Sequence, residues 1–387
     1  MKPLRILFVS EYYPPRIGGG EAWTRMMAEG LTARGHQVWV VTSRLPSTKA
    51  SEVINGVRIL RPLTSGGLFA RLRFIKQLTP YLTDLIRKER IDIIHTNAYI
   101  PTPAASIAGK RAGIPVVTSV HLRLGKQWWR VANPFTAAMN IAMEQLIIAG
   151  FHHDLVHVTA EPTRRALSRL TRAPVRDIPN YIDPEPFERY ANALRAGSKG
   201  DEYGTKGKRL LSLNSLLPIK AIPRAVSWIR ASDTDATFLI CGSGPDEQRI
   251  RDAAGDDSRI KLMGTVVGEP KFRLLGGCDA FVLLSYSEQF SLAAIDALAA
   301  GKDIIATPVG AIPSLAKGRW RHRVHIVHNR EEFLAAVRKV TRRAPHVDRA
   351  LLAQYDKQRI LDAFEREYQS LIGGSARSAS SSSKKST

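Results

Sequence analysis

The first half of the chain alternates short apolar runs with longer segments of helical periodicity. Each apolar run is rich in Val and Ile and is bounded by polar residues, Gly or Pro, which is typical of a buried strand. The predicted strands are 6–10, 37–42, 57–60, 91–95, 115–120 and 155–159. The predicted helices are 21–34, 71–90, 103–111 and 137–148. Strands that alternate with helices predict a parallel sheet with helices on both faces.

This pattern is interrupted at 193–209, where several Gly and Lys and few apolar residues predict a linker. We therefore expect a first α/β domain at 1–192 and a second at 210–350, and a length of 387 residues also favours two domains. A helical run at 351–372 follows. The Gly-, Ser- and Lys-rich residues 373–387 cannot bury a core, so they are predicted to be a disordered tail.

Composition narrows the class of protein. No run approaches the roughly 20 apolar residues that a membrane-spanning helix needs, and the apolar run near the first residue is too short for a signal sequence. Cys241 and Cys278 are the only cysteines, which argues against a disulfide framework and a cysteine-based zinc site. The sequence therefore predicts a cytoplasmic protein.

The net charge is strongly positive, with 57 Lys and Arg against 35 Asp and Glu and a formal charge of +22. Such an excess favours an anionic partner: nucleic acid, an acidic membrane surface or a phosphorylated substrate. A solvated basic surface explains it equally well. Because the sequence contains no zinc-finger spacing, aromatic RNA-binding signature or basic zipper, we expect no specific nucleic-acid partner.

The most informative segment runs from a predicted strand at 280–284 through a loop and a helix to Gly301. It carries two carboxylates eight positions apart, Glu288 in the loop and Asp296 on the helix. Open α/β sheets bind ligands at the carboxyl ends of their strands, which is where this loop begins. Carboxylates there can accept hydrogen bonds from sugar or ribose hydroxyls without a metal.

Glycine turns follow two predicted strands. Gly18, Gly19 and Gly20 precede the first long helix, where the backbone could approach a phosphate closely, although tight packing explains them as well. They do not form G-x-G-x-x-G, and no acidic residue is placed for an adenosine ribose, which argues against a nicotinamide enzyme. Gly242 and Gly244 form a second turn of this kind.

Two basic side chains are candidates for binding a ligand. His121 ends a predicted strand, at the edge where ligands bind, whereas His36 and His95 are interpreted as structural and the pair 152–153 as surface residues. Lys220 lies where a strand passes into a helix and could hold a phosphate as a point charge. The alternative for Lys220 is an ordinary exposed lysine.

A series of motifs in a fixed order resembles the family 4 retaining glycosyltransferases of the GT-B fold. The motifs are Pro-Pro-x-x-Gly-Gly-x-Glu at 14–21, Arg-Gly-His at 34–36, Ile-Pro-Asn-x-Ile-Asp with a following Phe at 178–187, Gly-x-Gly-Pro at 242–245, and Glu-x7-acid at 288–296. The resemblance spans about 4–371. It implies two Rossmann-like domains facing a cleft, with the C-terminal helix returning to the first domain. It also implies a nucleotide sugar (UDP- or GDP-linked) bound chiefly by the second domain and a hydroxyl acceptor bound chiefly by the first, with no metal or other cofactor.

The resemblance assigns roles to individual side chains. Glu288 and His121 would contact the donor sugar as the catalytic pair, Asp296 would hold the ribose hydroxyls, and Lys220 would neutralise the leaving diphosphate. Backbone contacts to the donor are implied for Gly18, Gly19, Gly242, Gly244, Phe290, Ser291 and Leu292.

The chain departs from the family pattern at three places. Asn214 and Ser215 stand where an arginine is expected before Lys220, the loop reads 288-Glu-Gln-Phe-Ser-291 in place of Glu-Gly-Phe-Gly, and the second glutamate is Asp296. Losing an arginine at the diphosphate could cost a few kcal/mol of transition-state stabilisation.

Arg209 and Arg224 are candidates to replace the arginine missing before Lys220. The alternative function is a non-catalytic GT-B protein that acts as a binding or partner subunit of a glycan pathway.

The acceptor side has a weaker signal. Residues 71–90 mix apolar and basic side chains, and Trp128 and Trp129 lie among basic residues at 122–130, which suits the headgroup level of a bilayer. Covering a domain face is an equally good explanation for the tryptophans. With the net charge, the sequence favours peripheral binding to the inner face of an anionic membrane and a lipid-linked acceptor, while water-soluble acceptors remain open.

Overall fold

The computed structural model describes residues 2–16, 18–65, 68–197 and 207–383, which form two α/β units. One unit comprises Met1–Arg123, Met139–Asn180 and Lys357–Thr387, and the other comprises Leu124–Ala138 and Tyr181–Asp356. The strands are β1 (Arg5–Val9), β2 (Gln37–Ser43), β3 (Ser51–Ile54), β4 (Val57–Leu63), β5 (Ile93–Asn97), β6 (Val116–Ser119), β7 (Leu155–Val158), β8 (Val175–Asp177), β9 (Arg209–Leu213), β10 (Thr237–Cys241), β11 (Ile260–Gly264), β12 (Ala280–Leu283), β13 (Asp303–Ala306) and β14 (Val324–Ile326). The helices are α1 (Gly19–Ala33), α2 (Leu68–Glu89), α3 (Thr102–Ala112), α4 (Trp128–Val131), α5 (Pro134–Gly150), α6 (Glu161–Leu167), α7 (Glu185–Arg189), α8 (Ala191–Ala196), α9 (Ile222–Arg230), α10 (Glu247–Ala254), α11 (Glu269–Gly277), α12 (Leu292–Ala299), α13 (Ile312–Lys317), α14 (Arg330–Lys339), α15 (Arg349–Gln354) and α16 (Lys357–Ser383).

The first unit is built on an eight-stranded sheet of order β3-β4-β2-β1-β5-β6-β7-β8. All described pairings are parallel except β3 with β4 at one edge. Nearly every residue of β1, β2 and β5 is buried, as expected for parallel strands covered on both faces. The parallel sheet predicted from the alternating pattern is confirmed.

The second unit has a six-stranded parallel sheet of order β11-β10-β9-β12-β13-β14. Side chains of β12 alternate between two cores, since Phe281 and Leu283 pack into one and Ala280 and Val282 into the other. The central strand is therefore apolar throughout, which is why it appears in the sequence as an uninterrupted run.

The carboxyl-terminal helix α16 packs within the first unit. Arg34, at the end of α1, donates to Asp362 and Glu365 of α16 at 2.7 and 2.8 Å. His36 accepts from the backbone N–H of Leu4 at 2.9 Å and bonds to Glu365 at 2.9 Å through its other nitrogen. His36 is thus a structural residue, as the sequence indicated.

The division of the chain differs from the expected boundaries. The chain passes from the first unit to the second after Asn180 and not after 192. The helix α8, at the start of the predicted linker, buries Ala193 and Leu194 in the core of the second unit. Its Ala and Leu residues provide this apolar face, which the nearby Gly and Lys obscured. Most of the remaining linker, 198–206, lies outside the described residues. The helix α16 continues to Ser383 through most of the predicted tail, and 384–387 also lie outside the described residues.

Candidate active site

The strand order of the second sheet reverses between β9 and β12, which are neighbours in the sheet. The strands that follow β9 in the chain lie on one side of this pair, and the strands that follow β12 lie on the other. Such a switch point opens a crevice at the carboxyl ends of the strands, where α/β proteins bind ligands. The turn after β9 carries Lys220, and the loop after β12 carries Glu288. Both residues predicted from the sequence therefore lie at this crevice.

Lys220 and Glu288 form an ion pair at the crevice. The Lys220 Nζ donates to Glu288 Oε1, and Ser285 Oγ donates to the same oxygen at 3.2 Å. The side chains are only 19% and 10% exposed, so neighbouring residues shield the pair from water. The backbone N–H of Tyr286 donates to Ile219 O at 2.8 Å and ties the two loops together. The arrangement holds one cation and one carboxylate at a fixed position.

The second carboxylate, Asp296, lies on α12 and is bound by a lysine that no sequence motif identifies. Lys271 of α11 donates to Asp296 Oδ2 at 2.6 Å. Both side chains are partly buried. Among the described residues, no hydrogen bond reaches the other oxygen of Asp296, which could accept one from a hydroxyl. The role of Asp296 toward a ribose stays a prediction.

The segment between the two carboxylates keeps a glycine-like backbone. Ser291 has φ 55° and ψ 79°, in the left-handed region, at a position where the family pattern has glycine. Phe290 is buried and packs edge-on against Tyr355, with ring centroids 5.1 Å apart. Leu292 begins α12. The chain thus retains the turn geometry with a side chain in place, at some cost in backbone strain.

Gly242 and Gly244 are explained by close backbone packing. Their φ angles are 141° and 155°, and an added Cβ would lie 1.8 Å from Asn214 O or 2.6 Å from Leu216 O. Leu216 N donates to Ser243 O at 2.9 Å, so the two loops lie directly against each other. The packing interpretation is sufficient here, and contact with a donor remains a prediction.

The structure separates the two arginines proposed to replace the missing one. Arg209 begins β9, roughly 13 Å along the strand from the crevice at its other end. Arg224, on α9, donates from Nη2 to Leu284 O at the carboxyl end of β12. Arg209 therefore cannot take the role at this crevice, whereas Arg224 lies at the correct edge.

In the first unit, His121 belongs to a cluster of aromatic and histidine side chains. Its ring lies 4.4 Å from that of Trp23, which also stacks on His157 at 5.6 Å. Ser119 Oγ lies 2.6 Å from both His95 and His157. Burial lowers the pKa of His121 to about 3 and that of His157 to about 4, and the neighbouring His157 also lowers the former. These rings are neutral at physiological pH.

The nitrogen His121 Nε2 is buried and has no hydrogen-bond partner among the described residues. A Cβ added at Gly20 would lie 4.0 Å from the His121 ring, so the glycine turn lies beside this histidine. Gly18 is extended and Gly19 is open to solvent, so neither position requires glycine for its backbone. The donor roles of Gly18, Gly19 and His121 stay predictions.

Other residues differ from what the sequence suggested or were not identified by it. His153 was expected at the surface but is buried, with its Nδ1 2.8 Å from Thr118 Oγ1, because it faces the interior beside β6. No sequence motif identifies Trp23, His157 or Lys271. Their role follows from contacts between segments that are distant in the sequence.

The described residues contain no group of three or more His, Cys, Asp and Glu side chains that could hold a metal ion. Among the helices described, none combines the length and apolar character that crossing a bilayer requires.

Comparison with known proteins gives matches along most of the chain. The family model "Glycosyltransferase Family 4" matches residues 17–186, and "Glycosyl transferases group 1" matches residues 215–343. An uncharacterized glycosyltransferase of Methanocaldococcus jannaschii is 26% identical over 81% of this chain and 83% of its own length. The phosphatidyl-myo-inositol mannosyltransferase of Mycolicibacterium smegmatis is 24% identical over 80% and 77% of the two chains.

Among solved structures, Anabaena HepE in complex with UDP-glucose superposes with a TM-score of 0.70 at 16% identity, covering 95% of this chain and 99% of that one. This likeness confirms the expected fold class, two Rossmann-like parallel-sheet domains of the GT-B type. The two family models together match more than half of the chain, in the order that the motifs predicted. The chain belongs to the family 4, group 1 glycosyltransferases and is a glycosyltransferase.

Proposed function

We propose that the protein transfers a hexose or N-acetylhexosamine from a nucleotide sugar to a hydroxyl acceptor with retention of configuration. The observation that carries this proposal is the Lys220–Glu288 ion pair at the switch point of the second sheet. It places one cation and one carboxylate where a diphosphate and a sugar need them.

In the proposed mechanism, Lys220 and Glu288 separate and each contacts a different part of the donor. When the donor binds, Lys220 Nζ exchanges its carboxylate partner for a phosphate oxygen, and Glu288 becomes free to accept from the sugar hydroxyls. As the bond between the anomeric carbon and the diphosphate breaks, the lysine stabilises the developing negative charge. The acceptor oxygen attacks on the same face and its proton goes to the leaving phosphate, so no protein base is required. Because lysine and arginine supply the positive charge, we also propose that the reaction needs no metal.

His121 acts in this proposal as a neutral hydrogen-bonding group for the sugar. Burial lowers the pKa of His121 to about 3, so the ring is neutral and only a weak base at neutral pH. The Nε2 without a partner leaves one hydrogen-bonding position for a sugar hydroxyl.

The donor and acceptor classes are supported by relatives. A UDP-glucose complex is known for the structural neighbour HepE, which supports a nucleotide-sugar donor. The mycobacterial relative is named for a phosphatidyl-inositol substrate, which supports a lipid-linked acceptor.

We further propose that the protein binds an anionic membrane, at its cytoplasmic face, through residues 124–138 of the second unit. Trp129 and Phe135 of this segment are 53% and 79% exposed. The charged residues of the segment, Lys126 and Arg130, are both basic and exposed. Exposed aromatic and basic side chains together suit the headgroup region of anionic lipids.

The test is release of nucleoside diphosphate from UDP-, GDP- and ADP-sugars, with and without liposomes that contain polyprenyl phosphate or phosphatidylinositol. We expect release from one donor, stimulation by one liposome, and loss of both in Glu288→Ala. Nucleotide binding without release under any condition, with the protein folded, would support the non-catalytic alternative.

A further inference from the structure

Arg224 is a partly buried guanidinium whose neighbours do not neutralise its charge. It lies over the ring of Tyr286 at 4.8 Å and over that of Trp228 at 5.3 Å. One Nη donates to Leu284 O, whereas the buried Nε has no partner among the described residues. Other arginines with little exposure are paired: Arg61 with Glu52, Arg34 with Glu365 and Arg259 with Asp257.

A second arginine lies at the same ring. Arg130 of α4 is 5.1 Å from the centre of Tyr286, and no ion pair joins either arginine to a carboxylate within the described part of the chain. Burial lowers the pKa of Arg224, and the nearby charge of Arg130 lowers it further. Two like charges held at one ring repel each other unless an anion lies between or beside them.

The position of Arg224 on its helix adds a further repulsion. It lies in the first turn of α9, a helix of nine residues whose first turn contains no acidic residue. The amino end of a helix carries a partial positive charge, which disfavours a cation and favours an anion. The local field therefore favours the same kind of ligand as the two guanidinium groups.

These groups lie beside the ion pair described above. Tyr286 N bonds to Ile219 O, next to Lys220, and α4 packs against the turn Pro218–Lys220. The expected arginine before Lys220 is replaced by Asn214 and Ser215. The edge thus holds two arginines that the family motif does not contain, at the strand end where that motif places its own.

We propose that Arg224 and Arg130, positioned by Tyr286, form a phosphate-binding site at the carboxyl edge of the second sheet. The ligand class is a phosphate ester or diphosphate. It belongs either to the nucleoside diphosphate of the donor or to the phosphate of the acceptor headgroup. The donor assignment rests on the proposed function, whereas phosphate binding itself does not.

The test is isothermal titration calorimetry of the full chain with inorganic pyrophosphate, with UDP, GDP and ADP, and with glycerol 3-phosphate. Arg224→Gln and Arg130→Gln remove one guanidinium each. Arg321→Gln removes the same charge from an exposed residue that precedes β14, at the opposite end of the sheet. Thermal unfolding of each variant checks folding, and Arg130 is exposed, so its variant retains the packing of the unit.

We expect each site variant to bind pyrophosphate about tenfold more weakly or worse, because each loses a charge-assisted hydrogen bond, and Arg321→Gln to bind as the wild type. Together with the loss for pyrophosphate, an equal loss with one nucleoside diphosphate assigns the site to the donor, and a loss with glycerol 3-phosphate but with no nucleoside diphosphate assigns it to the acceptor. Unchanged affinity for every probe in both folded site variants, or a loss no larger than in Arg321→Gln, overturns the proposal. Failure of the wild type to bind any nucleoside diphosphate would count against the proposed function, while the pyrophosphate result still decides the phosphate site.

Discussion

Lys220, in the turn after β9, donates to Glu288, in the loop after β12. This ion pair connects the loops that follow the two strands between which the strand order of the second sheet reverses. The two residues are far apart in the chain. They meet because β9 and β12 are neighbours and because both connections leave at the carboxyl edge. A ligand with a negative charge can replace Glu288 as the partner of the lysine.

Removing the lysine tests this exchange. We expect Lys220→Ala to lower kcat for sugar transfer by about 100-fold, since one group that stabilises a leaving charge has about this effect. The measurement is release of nucleoside diphosphate under saturating donor. The control is Lys317→Ala, which removes an exposed lysine on α13. A kcat within twofold of the wild type in Lys220→Ala would show that the pair has a structural role only.

Asp296 and Lys271 allow the ribose assignment to be tested separately. We expect Asp296→Asn to weaken binding of a nucleoside diphosphate about tenfold, because a charge-assisted hydrogen bond to a hydroxyl is lost. Binding of inorganic pyrophosphate, which has no ribose, should be unchanged. Calorimetry with both ligands checks this, and an equal loss for pyrophosphate would place the effect on the phosphates.

The sequence was sufficient to predict the segment from β12 to β13, because each signal there is local. An apolar run predicts the strand, the Ala- and Leu-rich stretch predicts α12, and Gly301, with φ 78°, ends it. The edge strand β3 was not predicted because it is mostly exposed and shows no apolar alternation, and β14 was not predicted because it has only three residues. Strand prediction from pattern therefore works where both faces are buried.

The arginines at Tyr286 could not be identified reliably from local sequence signals. Arg224 was a candidate because it lies close to Lys220 in the sequence, but so was Arg209, and only the direction of β9 separates them. Arg130 could not be predicted, since it precedes Lys220 by many residues and belongs to 124–138, a segment that packs in the second unit although the first unit surrounds it in the sequence. Residues that meet only through tertiary packing leave no pattern in the sequence.

Buried histidines predict an acid-sensitive first unit. Burial lowers the pKa of His121 to about 3 and that of His157 to about 4, below the ordinary value of about 6.5. Between the lowered and the ordinary pKa, the unfolded chain therefore binds more protons than the folded chain. The free energy of unfolding is therefore fully maintained above about pH 6.5 and falls as pH decreases. Each histidine contributes a loss of roughly 2 kcal/mol between pH 7 and pH 5.

Urea unfolding at pH 7, 6 and 5 measures this dependence. His157→Gln removes one of the titrating rings and should reduce the loss of stability between pH 7 and pH 5, whatever its stability at pH 7. The control variant is His322→Gln, which replaces an exposed histidine just before β14. An identical pH dependence in all three proteins would exclude His157 as a source.

Backbone strain at the crevice predicts two stabilising substitutions. Ser291 and Ala221 have φ angles of 55° and 51°, in the left-handed region that glycine adopts without steric cost. We expect Ser291→Gly and Ala221→Gly each to raise the Tm by a few degrees, corresponding to about 1 kcal/mol. Ala253→Gly, within the helix α10, should lower it by a similar amount. A lower Tm in both crevice variants would contradict the strain interpretation.

The exposed apolar residues of α4 and α5 predict a membrane-binding face that can be removed without changing the active site. Trp129→Ser with Phe135→Ser replaces two exposed aromatic side chains, each able to bury apolar area at a headgroup boundary. We expect the affinity for phosphatidylglycerol liposomes, measured by sedimentation, to fall at least tenfold. Full burial of one aromatic ring contributes about 1.5–3 kcal/mol, and partial burial contributes less. Val267, 68% exposed and outside the segment, gives the matched control Val267→Ser, which should bind as the wild type. Equal liposome binding by the double variant and the control would show that basic charge alone attracts the protein, and binding should then disappear at high salt, where exposed charges are screened.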